Sequence, residues 1–197
     1  MASKVEERRA ALSEKLVDIA EATIAAEGHQ GIRARDLAAE AGCAVGAIYT
    51  LYADLDHLVM AVNGRTFHRL GAHVATAVLA AASDDPADQL VVMGQAYLSF
   101  AAANPKSWRT LFDLEMSAET DVPDWYMIEL GALFDLISRP LSQIYPDQSA
   151  DQIGLLTRTL FSSVHGIVFL GLEKRLSAVP EAEMAQMIDR LVRAVVS

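Results

Sequence analysis

Apolar residues recur at three- and four-residue intervals along almost the whole chain, and runs with the period-two alternation of strands are absent, which predicts helices throughout. Leu12, Leu16, Ile19, Ala20, Thr23 and Ile24 make one stripe of a helix over about 6–26 that Gly28 ends. Leu37, Ala38 and Ala41 form the inward face of a short second helix, and the small Ala38 lets another helix cross close to it. Gly42 supplies the positive φ that stops it. A third helix over Val45–Leu51 then turns Ile48 and Tyr52 inward and leaves Val45, Ala47 and Thr50 outward.

Asp54 is the expected N-cap of a long fourth helix reaching about Ala82, with Phe67, Leu70, Val74, Val78 and Leu79 in its later half. The segment 83–86, Ser-Asp-Asp-Pro, stops that helix and starts one over 86–103. Asn104-Pro105 opens a short helix carrying Trp108, Leu111 and Phe112, and 117–123 read as a loop. From Asp124 a helix bears Trp125, Ile128, Leu133, Phe134 and Ile137, with a kink expected at Pro140. Ser149 opens a helix to about Leu176, apolar nearly all round between Val164 and Leu172. The last helix follows Pro180 with the stripe Met184, Met187, Ile188, Leu191, Val192 and Val195.

The two short helices around Gly42 are a helix-turn-helix signature, whose second helix lies in a DNA major groove. Gly28, Asp36, Leu37, Ala38, Ala41, Gly42, Gly46, Ile48, Tyr49, Tyr52, Asp54 and Leu58 together resemble the N-terminal domain of the tetracycline-repressor-like (TetR) regulators. The resemblance implies an all-α fold, a helix-turn-helix domain over 1–55, and a helical ligand-binding and dimerisation domain over 56–197. It implies a cytoplasmic homodimer that binds double-stranded operator DNA, usually as a repressor, and releases it when a small hydrophobic or aromatic effector binds. The DNA-binding residues it implies are Arg33, Arg35, Ala44, Val45, Ala47, Tyr49 and Thr50. Four positions depart from the family pattern: Arg33 stands where Thr or Ser is usual, Ala44 for Ser, Leu51 for His or Tyr, and Leu55 for Lys. Each departure removes a polar group near the DNA backbone, and Arg33 and Arg35, at the start of the second helix, can partly replace them. Val164-His165-Gly166 also resembles the Trp-His-Gly motif of one TetR subgroup, with Val164 in place of the tryptophan.

Effector contacts are expected among Tyr97, Phe100, Trp108, Phe112, Trp125, Met127 and Phe134, with His165 as the polar contact. The plain alternative for each aromatic is a core role, and for His165 a core histidine bonded to a backbone carbonyl. Surplus apolar surface on the last two helices predicts a four-helix dimer interface through Phe161, Val168, Phe169, Leu172, Met184, Ile188 and Leu191.

Composition and charge narrow the function. Hydrophobic residues make up 52% of 197 residues, enough for a sizeable core, and the net charge of −10 opposes general adhesion to nucleic acid or anionic membrane. Residues 1–60 hold six Lys or Arg against ten Asp or Glu, so DNA binding has to be local. That imbalance favours a second reading, a ligand-binding or interaction module of the same architecture whose DNA binding is weakened or lost. Arg158 and His165 interrupt the most apolar helix, so no membrane span is expected, and the N-terminus has no signal-peptide core. Cys43, the single cysteine, reads as a small apolar side chain in the turn, with a redox role as the alternative.

No enzyme is expected: Gly-x-Ser-x-Gly, His-Glu-x-x-His, phosphate-loop and dinucleotide motifs are all missing. Ser162, Ser163 and His165 lack the strand-turn context of a nucleophile, and His68 and His73 face different sides of a helix. No metal or cofactor is expected.

Overall fold

The computed structural model describes residues 3–114 and 122–197, and among these it is all-α, with no strand. The helices are α1 Lys4–Glu27, α2 Ala34–Ala41, α3 Val45–Leu51, α4 Leu55–Ala81, α5 Pro86–Ala103, α6 Pro105–Asp113, α7 Asp124–Ile144, α8 Ala150–Leu172 and α9 Met184–Val196. Single 3-10 turns, His29–Gly31 and Glu181–Glu183, precede α2 and α9. Most of the expected 117–123 loop lies outside the described residues.

Local chemistry accounts for these boundaries. Ser3 with Glu6 and Ser149 with Gln152 form capping boxes that start α1 and α8. Asp54 accepts the His57 backbone N–H at 2.8 Å and so caps α4, while Pro105 sits in the first turn of α6. α7 runs as one helix through Pro140.

α8 stops at Leu172 rather than near Leu176. The Arg175 N–H bonds the Leu170 carbonyl and the Lys174 N–H bonds that of Gly171, which is a Schellman closure with Lys174 in the left-handed position at φ +52. Lysine there is disfavoured, so no residue type marked the end in the sequence. Despite Arg158 and His165, α8 is long and apolar enough to cross a bilayer by length and composition alone, a test that a core helix passes as well. Its face of Ile153, Leu160, Val164 and Val168 is nevertheless buried within the protein.

The chain forms two compact units. The first comprises the described residues of 1–66 and 104–126, and the second those of 67–103 and 127–197. The segment expected to be the helix-turn-helix domain, 1–55, lies wholly in the first unit. That unit continues to Thr66 and takes in α6.

In the first unit, Leu16, Ala20 and Ile24 of α1 are fully buried with Leu37 of α2 and Ile48 of α3. In the second, α9 packs on α5 and α8 through Met184, Ile188 and Val192. Contact there is close: a Cβ at Gly94 of α5 would stand 2.6 Å from Ile188 Cγ2.

Candidate nucleic-acid interface and ligand site

The turn between α2 and α3 is built by the backbone. Gly42 adopts φ 71 and ψ 36, its N–H bonds the Ala39 carbonyl, and the Cys43 N–H bonds that of Ala38 at 2.9 Å. Cys43 thus closes the turn through its main chain, with its side chain half-buried. Ala44 precedes α3 and offers no side-chain cap.

Ile48 anchors α3 in the core, and the opposite face is open. Val45, Tyr49 and Thr50 are exposed, Tyr49 to 50%, and Ala47 is half-buried. The Thr50 hydroxyl donates to the Gly46 carbonyl at 3.0 Å, so what it presents outward is an acceptor and a methyl group. Arg35 is exposed, and Arg33 stands 3.9 Å from Asp36.

Side chains from other helices close the C-terminal ends that lack basic residues of their own. Lys15 Nζ of α1 donates to the Ala41 carbonyl of α2 at 2.8 Å, and Arg9 Nη2 donates to the Thr50 carbonyl of α3 at 2.9 Å. Lys106 of α6 does the same for the Ala26 carbonyl of α1. The Ser13 and Tyr52 hydroxyls share a hydrogen bond of 2.7 Å. Arg65 of α4 bridges Asp18 at 2.6 Å and Glu21 at 2.9 Å on α1. None of these partners was legible in the sequence, because each lies far away along the chain. Beside them, His57 holds the Asp54 carboxyl below the usual carboxylate range by donating to it from its ring and its backbone N–H.

In the second unit, Phe161, His165 and Phe169 succeed one another at i, i+4 and i+8 on α8, with ring centroids 5.5 and 5.6 Å apart. Phe134 of α7 meets Phe161 edge-on at 5.2 Å, and Tyr97 of α5 meets it at 6.0 Å. The Tyr97 hydroxyl and His165 Nδ1 lie 2.8 Å apart, and burial pushes the His165 pKa down, which favours neutral imidazole. His165 is therefore bonded through Nδ1 to a tyrosine hydroxyl. Phe100 is buried and tilts against His73 at 5.8 Å.

The expected effector residues divide between the two units. Tyr97, Phe134 and His165 come together in the second, and Met127, at its α7 edge, is 54% exposed. Trp108, Phe112 and Trp125 belong to the first unit, where Trp108 is core and meets Phe112 edge-on at 5.6 Å. A cleft of about 340 Å³ at the α8–α9 turn, lined by Lys174, Arg175, Pro180 and Glu181 among others, contains none of the expected residues.

Burial corrects part of the expected dimer set. Val168, Met184 and Ile188 are at most 1% exposed in the single chain, because α5, α8 and α9 use them as their common core. Phe161, Phe169, Leu172 and Leu191 stay half-buried. Among the described residues no group of three His, Cys, Asp or Glu side chains could hold a metal ion.

A protein-family profile described as "Tetracyclin repressor-like, C-terminal domain" matches residues 90–195. No curated protein sequence matches the chain. Among solved structures, a protein of unknown function from Rhodococcus sp. RHA1 is similar, with 24% identity, a TM-score of 0.73, and coverage of 94% of this chain and 96% of that one. A TetR transcriptional regulator from the same organism has 14% identity and a TM-score of 0.64, covering 96% and 97%. The transcriptional regulator FadR from Bacillus subtilis, in complex with stearoyl-CoA, has 13% identity and a TM-score of 0.66, covering 93% and 97%.

Proposed function

The chain belongs to the tetracycline repressor-like family of transcriptional regulators, and on that premise we propose that it is a homodimeric, non-catalytic repressor that binds a palindromic operator in the cytoplasm and lets go when a small hydrophobic or aromatic effector enters the second unit. The observation that carries this reading is the geometry of α3. Gly42 turns the chain so that Ile48 is buried while Val45, Tyr49 and Thr50 face outward on a short, exposed helix. In this reading Val45, Ala47 and Thr50 meet base edges, and Arg33, Arg35, Ala44 and Tyr49 meet the backbone. Two such helices must stand about 34–36 Å apart on successive turns of DNA.

The effector contacts in this reading are Tyr97, Phe134, Phe161 and His165, an aromatic lining with one polar pair for orientation. The stearoyl-CoA bound to the B. subtilis regulator supports a long apolar ligand as one class to test. The likeness of Val164-His165-Gly166 to the Trp-His-Gly motif belongs to the same proposal. For the dimer, α8 supplies the support. Only 28% of its most apolar stretch is buried in the single chain, and Leu155 and Leu170, exposed to 63% and 40%, share a face with Thr159, Ser162 and Gly166.

The test is selection of duplexes from genomic DNA by the purified protein, followed by affinity for the best one at two salt concentrations. A palindromic site bound with steep salt dependence is the expected result. Failure to enrich any duplex at low salt would favour the ligand-binding module, which the uncharged α3 and the acidic balance of residues 1–60 support.

A further inference from the structure

α3 carries no charged side chain, and its last turn presents backbone carbonyls, the negative pole of the helix. A DNA phosphate approaching that end is repelled unless a cation covers it. Arg9 covers it, with Nη2 on the Thr50 carbonyl at 2.9 Å. That bond uses one of five guanidinium donors. Arg9 is exposed, and among the described residues no carboxylate pairs with it, whereas Arg65 is matched by Asp18 and Glu21 and Arg33 lies near Asp36. One turn further along α1, the Ser13–Tyr52 hydrogen bond keeps this face of α1 against the end of α3.

The geometry points to Arg9 as a phosphate-binding residue of the DNA interface, held against the last turn of the reading helix by the Thr50 carbonyl. This rests on the regulator reading above and adds a contact that the helix-turn-helix pattern does not contain. The carbonyl anchor restricts a long side chain before DNA arrives, so less freedom is lost when the phosphate is bound. The contact fixes register and carries no base information. In a segment with more acids than bases, a cation placed in advance beside the groove supplies attraction that net charge does not.

The experiment compares the full-length protein with Arg9→Gln on a duplex selected from a random-sequence pool by the wild type, with affinity measured across a salt series. Glutamine keeps an N–H donor, on a shorter side chain, while the charge is removed. The expected result is affinity about five- to tenfold lower at low salt, and a salt slope shallower by about 0.9 for each reading helix bound. Arg9→Lys should keep the slope, and Arg175→Gln, an exposed cation of the second unit, should change nothing. An Arg9→Gln protein with wild-type slope overturns the proposal, whether its affinity is unchanged or reduced by a shifted α3. Thermal midpoints of both Arg9 variants reveal any loss of folding, and if Arg9→Gln does not fold, Arg9→Met replaces it on the same criteria. Wild-type protein without salt-dependent binding would instead overturn the regulator reading itself.

Discussion

The Tyr97 hydroxyl and His165 Nδ1 lie 2.8 Å apart, joining α5 to α8 between the rings of Phe161 and Phe169. The pair is the polar element of an otherwise apolar cluster, and burial keeps the imidazole neutral there.

That neutrality gives stability a pH dependence of known sign. The folded-state pKa of His165 is lowered from 6.5, so the unfolded chain takes up the proton first as pH falls. The contribution of neutral His165 is fully present above about pH 6.5 and is lost progressively below it. Thermal midpoints of wild type and His165→Phe at several pH values check this. The variant pays a fixed cost for the Tyr97 hydroxyl, so the gap between the two proteins should narrow toward acid. A gap independent of pH would show that His165 does not titrate on unfolding.

Gly94 and Ile188 form the closest approach of α5 and α9. Gly94→Ala places a methyl group 2.6 Å from Ile188 Cγ2 and should destabilise the protein by about 1–3 kcal/mol through overpacking. Ile188→Ala opens a cavity of its own and should cost about 2–5 kcal/mol. Because each change relieves the other, the double variant should cost clearly less than the two combined. Denaturant titration of the four proteins measures that coupling, and simple additivity would place the two residues out of contact.

Ala44 precedes α3 without a side-chain cap. Ala44→Ser supplies an oxygen for the free N–H groups of the first turn and should stabilise by about 1 kcal/mol, since a serine N-cap outranks alanine by that amount. For a chain of this size the thermal midpoint rises by about 2–4 °C. An unchanged midpoint would mean that α3 contributes little to the cooperative unit.

The contrast between α3 and α9 shows what a sequence exposes. The limits of α3 were legible because Gly42 leaves one conformation for the turn and the single burying residue, Ile48, fixes the rotation of the helix. The stripe of α9 was equally clear, yet periodicity says that Met184 and Ile188 are buried without saying against what, and they proved to serve the single-chain core. The cations Arg9, Lys15 and Lys106 escaped for a related reason. Each closes a helix end far away in sequence, and no local spacing records that. The same holds for the proposed effector residues: Tyr97, Phe134 and His165 were expected together, but only packing brings to them Phe161, which was expected at the dimer seam.

In the proposed function the outward face of α3 also divides affinity from specificity. Tyr49 and Arg35 are exposed polar groups flanking the reading face, so Tyr49→Phe and Arg35→Ala should weaken binding by a similar factor on all duplexes, as phosphate contacts do. Thr50 behaves differently because its hydroxyl proton is held by the Gly46 carbonyl. It offers the groove a methyl group, suited to thymine, and an acceptor, suited to an exocyclic amine. Thr50→Ala removes the acceptor and shortens the apolar surface, and should change preference at one position in each half-site by about 1–3 kcal/mol while leaving the salt slope intact. Selection of duplexes by the three variants separates these outcomes. Equal losses on every sequence for all three would remove Thr50 from the base-reading surface and leave that role to Val45 and Ala47.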